Sequence, residues 1–265
     1  MPELRLAGIY RYPVKSLSGQ SASVLPVDQR GLQFDRQWML VDAEGRFLTQ
    51  RQRPRMALIR THVDTDGRLL LQAPAMPDLA VSGPEDDRIT VSVWSDSVAA
   101  APSAPAVDAW FSAFLDTPCR LVRMPDSVRR PVDPAYGRPG DQVGFADGFP
   151  FLLISQASLD DLNKRLEAPV SILRFRPNLL VEGCAAFAED AWRRIRIGGL
   201  TFRVAKPCSR CTIPNVDLDT GERGREPMQT LTGYRRRDGK VYFGQNLIHD
   251  GTGEIAVGMP VELLE

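Results

Sequence analysis

Cysteine and histidine are scarce in this chain, with four cysteines and two histidines among 265 residues. The cysteines, Cys119, Cys184, Cys208 and Cys211, follow no disulfide-framework spacing, which fits a reducing compartment. An excess of charge of one sign is missing too. The 33 basic and 33 acidic side chains cancel, so the balance points to neither nucleic acid nor a membrane surface. No apolar run approaches the ~20 residues of a membrane-spanning helix. The opening Met1-Pro2-Glu3-Leu4-Arg5 holds no apolar signal core. Internal repeats and low-complexity tracts are absent as well. Together these absences predict a soluble, cytoplasmic protein, long enough to bury a sizeable core as one large domain or two smaller ones.

What is present is mostly the periodicity of strands. Short aliphatic runs at 4–10, 38–42, 56–63, 69–72 and 89–93 predict strands, and turn signals at Ala43-Glu44-Gly45 and Asp64-Thr65-Asp66-Gly67 predict an antiparallel meander. Further runs at 151–154, 178–181, 195–197, 200–204 and 241–243 continue the pattern, with Gly198-Gly199 as a two-residue hairpin turn. Two helices stand out. Val107, Trp110, Phe111 and Phe114 share one face of the segment 107–115, and Ser155 caps a second helix that carries Leu159, Leu162 and Leu166 inward. The expectation is a mainly β protein with few helices. Candidate boundary segments are the alanine, serine and proline stretch 99–106 and the arginine- and proline-rich stretch 124–139, which places a division near residue 120, between 1–120 and 121–265. The second stretch reads either as a linker or, through Arg129, Arg130 and Arg138, as part of an anion site.

The chemistry concentrates in Lys206-Pro207-Cys208-Ser209-Arg210-Cys211-Thr212. A thiolate is a strong ligand for soft metals and a good nucleophile, and neighbouring Lys206 and Arg210 favour it over the thiol. Structural zinc needs four protein ligands, and the remaining cysteines and histidines, Cys119, Cys184, His62 and His249, are isolated from one another. Thioredoxin-type exchange expects the pair at a helix start, where Pro214 stands in the way. A third possibility is one thiolate on a metal whose other ligands come from an organic cofactor; two ordinary buried cysteines are the plain alternative. An anionic cofactor would need cations in several turn segments. Lys15 and Ser16 follow the first strand, Arg36 precedes another, and Arg176 and Asn178 precede a third.

Seven motifs then occur in order: Tyr12-Pro-Val-Lys-Ser16, Asp35-Arg-Gln-Trp38, Phe175-Arg-Pro-Asn178, Ala188-Glu-Asp-Ala-Trp192, Cys208-Ser-Arg-Cys211, Asp217-Leu-Asp-Thr-Gly221 and Phe243-Gly-Gln-Asn246. Nearly the whole chain resembles the MOSC-domain proteins that carry an N-terminal MOSC β-barrel domain, the family of the amidoxime-reducing components. The resemblance implies a β-barrel-rich, α+β architecture with a few helices and a molybdenum cofactor, Mo-molybdopterin, between an N-terminal MOSC β-barrel domain (1–120) and a MOSC domain (121–265). It implies Cys211 as the molybdenum ligand, with Cys208 its neighbour. Ser209 and Arg210 would touch the pterin, Arg176 and Asn178 would hydrogen-bond it, and Lys15, Ser16 and Arg36 would hold its phosphate. Asp147 would stand near the metal as a proton relay or orienting group, although Gly148-Phe149 replaces the small hydroxyl residues expected after it. Gly244 to Asn246 is a further candidate contact.

The implied reaction reduces an N–OH bond to N–H with release of water at a metal that cycles between Mo(IV) and Mo(VI). The chain ends at Val261-Glu262-Leu263-Leu264-Glu265 without the four further cysteines of a plant-type [2Fe–2S] domain. The expected electron source is therefore a separate flavoprotein reductase or small iron–sulfur or haem carrier. MOSC domains also end molybdenum cofactor sulfurases, so a cofactor carrier or sulfur-transfer protein, with a persulfide on Cys208 or Cys211, is the alternative.

Overall fold

The computed structural model describes residues 3–64, 66–81 and 87–265; Thr65 of the predicted turn and Met1 and Pro2 of the amino terminus lie outside the described residues. The architecture is strand-rich with three α-helices among the described residues, in keeping with the expected mainly β class.

A nine-stranded sheet runs in the order Val261–Leu263, Arg194–Ile197, Leu200–Ser209, Lys240–Asp250, Phe151–Ser155, Leu179–Glu182, Arg5–Arg11 and Gln20–Ala22, with Arg236–Arg237 paired beside Lys240–Asp250. The strands Phe151–Ser155 and Leu179–Glu182 are parallel, as a helical crossover requires. That crossover starts with Gln156–Asn163, whose N-cap Ser155 accepts from the Ser158 amide at 3.1 Å. Leu159 and Leu162 are buried as predicted, while Leu166 lies past the end of the helix. Ile197 faces Leu200 across the Gly198-Gly199 hairpin.

A four-stranded sheet, Trp38–Val41, Arg120–Arg123, Asp96–Pro102 and Ile89–Val93, and the antiparallel meander Arg60–Val63, Leu69–Gln72 and Leu79–Val81 build most of the first half. The helix Pro105–Leu115 buries Val107, Trp110, Phe111 and Phe114 against Leu40, Leu69 and Leu71. Each such apolar side chain contributes about 1.5–3 kcal/mol by leaving water. The stretch 99–106 is the end of one strand and the first turn of this helix, with Ala100 and Ala101 buried. The run predicted as strand 56–63 divides. Pro54 fixes φ at the first turn of a 3-10 helix, Pro54–Leu58, and pairing resumes only at Arg60–Val63.

Two strands from the start of the chain interlace with its second half. Arg5–Arg11 pairs antiparallel with Leu179–Glu182, and Val24–Asp28 pairs with Gly253–Ala256. One apolar cluster consequently mixes Leu6, Ile9, Leu25 and Val27 with Phe151, Phe202 and Leu247.

Candidate functional site

The cysteine pair sits where a long strand bends. Leu200–Ser209 runs beside Lys240–Asp250, but its register shifts between Val204 and Lys206 and again between Pro207 and Ser209. Such irregularities re-aim side chains next to sites. Cys208 and Ser209 end the strand, Arg210 is held by its amide donating to the Val241 carbonyl at 2.8 Å, and Cys211 leads into the 3-10 turn Ile213–Asn215. Opposite, Gly244 has φ +82°, and a Cβ there would lie 2.8 Å from the Leu153 carbonyl oxygen, so the strand can pass only as glycine. Asn246, two residues on, faces the same cleft as the cysteines.

That cleft encloses about 750 Å³, and all nine predicted site residues, Lys15, Ser16, Arg36, Asp147, Arg176, Asn178, Ser209, Arg210 and Cys211, line it. Segments far apart in the chain bring them there. Ser16, Arg36 and Arg176 all adopt the left-handed region, with φ of 67°, 46° and 58°. Trp94, also on the cleft, has φ 55°. Non-glycine residues avoid this conformation, and its concentration here marks a constrained site.

The floor is a mesh of arginines around Tyr12. The Arg36 and Arg176 guanidinium carbons each lie 4.3 Å from the centre of the Tyr12 ring. Arg36 donates through Nη1 to Asp35 Oδ2 at 2.6 Å and to Asn178 Oδ1 at 3.1 Å, and through Nη2 to the Arg176 carbonyl at 3.1 Å. Arg176 donates through Nη1 to the Leu17 carbonyl at 2.5 Å, but its Nη2 is buried without a partner. Burial, reinforced by the charge of Arg36, pulls the Arg176 guanidinium down to about 10. Arg210 repeats the pattern: Nη1 points at Cys208 Sγ at 3.1 Å, Nη2 donates to the Phe175 carbonyl at 2.7 Å, and Nε is buried and unpartnered.

At one side Lys15, buried, donates to the Phe145 carbonyl at 2.8 Å and to Asp147 Oδ1 at 2.5 Å. Burial lowers the Lys15 ammonium from its ordinary value, against the opposing pull of Asp147. Asp147 faces the open cleft with 61% of its side chain accessible. Burial by the cleft walls would raise its carboxyl. The Lys15 ammonium and the Trp94 indole N–H, which donates at 3.2 Å, outweigh that and hold it well below the usual carboxylate range.

Several lining residues carried no signal in the sequence. Arg51 approaches Cys211 Sγ to 3.7 Å through Nη1 and lies 5.0 Å from the Trp94 ring, and Thr49 stands beside it on the cleft. Of the three arginines in the stretch 124–139, Arg130 alone reaches this cleft, where it donates to Asp96 at 2.8 Å and to the carbonyls of Gly144, Ala146 and Asp147. Arg138 pairs loosely with Asp250, at 3.9 Å. Phe149, at the position where a small hydroxyl was expected, packs edge-on to Tyr136 with ring centres 5.7 Å apart.

The donor set suits an anionic cofactor. Two buried guanidinium nitrogens lack partners, cations exceed carboxylates along the walls, and the half-buried Cys211 thiol has the Arg51 guanidinium 3.7 Å from its sulfur.

Known proteins are similar along the same lines. The model of the MOSC N-terminal beta barrel domain matches residues 3–118 and that of the MOSC domain matches residues 140–262. The chain is 37% identical over 279 residues to mitochondrial amidoxime-reducing component 1 of Homo sapiens, spanning 98% of this chain and 82% of that protein. It is 35% identical to molybdenum cofactor sulfurase of Solanum lycopersicum, over 90% of this chain and 32% of the sulfurase, and 31% identical to the Homo sapiens sulfurase, over 92% of this chain and 30% of the relative. No helix among the described residues is long and apolar enough to cross a membrane. Carrying both domains and matched from end to end by a reducing component, the chain belongs to the MOSC-domain family.

Proposed function

We propose that this protein is a molybdenum-cofactor-dependent oxidoreductase that reduces N-hydroxylated compounds, N–OH plus two electrons and two protons giving N–H and water. The observation that carries this reading is the convergence of Cys211 and an excess of cations on one cleft, in a chain matched along most of its length by an amidoxime-reducing component. We further place the protein in the cytoplasm, divide it at 1–120 and 121–265, and assign its electron supply to a separate flavoprotein reductase or small iron–sulfur or haem carrier.

When bound, the molybdenum pterin supplies a two-electron centre able to accept the substrate oxygen. Cys211 would be the protein ligand to its metal. Lys15, Ser16 and Arg36 would hold the pterin phosphate, the unpartnered Nη2 of Arg176 and Nε of Arg210 would donate to its anionic edges, and Asn178 and Ser209 would add hydrogen bonds. The Tyr12 ring attracts both guanidiniums, each 4.3 Å from its centre, and so holds the two like charges in place. Asp147, held ionised by Lys15 and Trp94, is suited to orient a substrate N–H or O–H rather than to donate a proton near neutral pH.

The cofactor carrier or sulfur-transfer alternative draws on the sulfurase similarity and on Arg210 beside the Cys208 sulfur. Molybdenum and pterin analysis of wild type and Cys211→Ala, followed by turnover of benzamidoxime with reduced methyl viologen, separates the two. Near-stoichiometric molybdenum with pterin and turnover, both lost in the variant, supports the enzyme. Bound pterin without turnover supports the carrier.

A further inference from the structure

Cations on the cleft differ in what already neutralises them. Arg36 pairs with Asp35, Lys15 with Asp147 and Arg130 with Asp96. Arg176, Arg210, Arg51 and Lys206 form no ion pair among the described residues. The first two belong to the floor, where buried nitrogens wait for a partner. Arg51 and Lys206 are partly exposed, each laid on aromatic rings. Arg51 lies 5.0 Å from the centre of Trp94, which is 53% exposed, and Lys206 Nζ lies 4.3 Å from the centre of Tyr136 and 5.2 Å from that of Phe149.

A ring face holds a cation in position without cancelling its charge. Ordinary surface arginines and lysines wave in solvent; these two are anchored from opposite halves of the chain and line the same cleft. The residues that would hold the pterin phosphate are Lys15, Ser16 and Arg36, so Arg51 and Lys206 are left over from that set, with the Asp147 carboxylate acting on Arg51 from across the same cleft. Arg51 also touches Cys211 Sγ at 3.7 Å, so a group bound to it lies beside the proposed metal ligand. Part of Trp94 stays open to solvent beside Arg51, an apolar surface for a flat substrate ring to touch.

We infer that Arg51 and Lys206 form a cationic rim that selects substrates bearing an oxyanion, and that the preferred substrates are planar N-hydroxylated compounds carrying a carboxylate or a phosphate. This specificity rests on the N–OH reductase reading given above. Phe149 gains a role by the same argument: in place of a small hydroxyl residue it supplies part of the platform that positions Lys206.

The test compares benzamidoxime with its 4-carboxylate and 4-phosphonate, using holoenzyme with measured molybdenum and pterin content and reduced methyl viologen as donor. The expected result is a kcat/KM about tenfold or more higher for the anionic compounds, the order of one charge-assisted hydrogen bond, carried mainly by KM and shrinking as salt is added. A larger gain for the phosphonate points to phosphate as the natural group, and a larger gain for the carboxylate points to a carboxylic acid. Lys206→Gln and Arg51→Gln should each lower the anionic-to-neutral ratio several-fold, and Lys206→Glu should bring it to one or below. Merely structural damage would depress all compounds alike and leave the ratio unchanged. Equal kcat/KM for neutral and anionic compounds in the wild type overturns the inference while leaving the reductase reading in place, as does a preference that persists in both Gln variants. Equilibrium binding of the same compounds to the oxidised holoenzyme distinguishes the remaining case. Tighter binding of the anionic compounds, lost in the variants, without any turnover would uphold the rim and sink the reductase reading; binding without preference would sink the rim.

Discussion

Two clefts on this molecule are lined by arginines, and they use them in opposite ways. The smaller, of about 200 Å³, is lined by Asp28, Arg30, Phe34 and Arg129 among others. There Arg30 Nη2 donates to three backbone carbonyls, those of Pro125, Asp126 and Val128, at 2.8, 3.1 and 2.6 Å, and Arg129 donates to the Asp126 carbonyl at 2.7 Å. Arg30 thus ties its own turn to the loop at 125–128, and Arg129 braces that loop from within. In the larger cleft Arg176 and Arg210 each keep a buried nitrogen without an acceptor. A buried unmet donor costs free energy that a native fold tolerates where a ligand completes the set. An arginine in a cleft is therefore weak evidence of binding; leftover hydrogen-bonding capacity is the stronger sign.

Breaking the larger cleft at Cys211 should have the greatest effect. Cys211→Ala should lower N–OH reduction by more than about a hundredfold, beyond the range typical of residues behind a metal ligand, with loss of molybdenum measured by metal analysis. Next, Arg176→Leu should weaken cofactor retention by about 2–5 kcal/mol, the usual cost of removing one member of a buried charge pair. Pterin fluorescence after extensive dialysis reads it, and full retention would show that the unpartnered nitrogen serves no ligand.

The smaller cleft supplies the contrast. Arg30→Leu should leave molybdenum content unchanged yet lower stability by about 1–3 kcal/mol, since three carbonyls lose a charged donor. Denaturant unfolding measures this, and a loss of cofactor instead would erase the distinction between the two clefts.

Asp147→Asn sharpens the comparison through pH. A carboxyl whose folded value is depressed stabilises the fold above its unfolded value and loses that contribution as pH falls through the depressed one. Because the Asp147 side chain is 61% exposed, the gap between wild type and variant should be only about 1 kcal/mol at neutral pH. It should narrow below about pH 4, where the unfolded carboxyl protonates. The smallest effect belongs to Tyr12→Phe. The hydroxyl is buried and unpartnered, so its removal should change stability by less than about 1 kcal/mol and keep the cofactor, whereas Tyr12→Leu, which removes the ring between two guanidiniums, should not keep it.

Sequence patterns showed elements whose causes are local. The Ser155 cap, the Gly198-Gly199 hairpin and the apolar face of Pro105–Leu115 each depend on residues within a turn or two. The apolar run at 56–63 misled because Met56, Ala57 and Ile59 are buried in either conformation, and only Pro54 decides for the 3-10 turn. Val24–Asp28 alternates exposed and buried residues as a strand should, but Pro26 masks it and its partner lies at Gly253–Ala256. The site divides in the same way. Eight of its nine predicted residues sit in recognisable motifs and the ninth, Asp147, came only through the family resemblance, whereas Arg51, Trp94 and Thr49 reach the cleft only through packing between distant segments, for which a single sequence holds no signal.

The interlaced strands have a consequence for how the chain is made. During synthesis Arg5–Arg11 leaves the ribosome long before Leu179–Glu182 exists, and Val24–Asp28 must wait for Gly253–Ala256, almost the last strand to appear. These strands thus carry unpaired β edges and apolar side chains such as Leu6, Ile9 and Leu25 until their distant partners have been made. Nascent chains of this protein should depend on a holding chaperone, and a slow codon late in the message should cost more soluble product than one early in it.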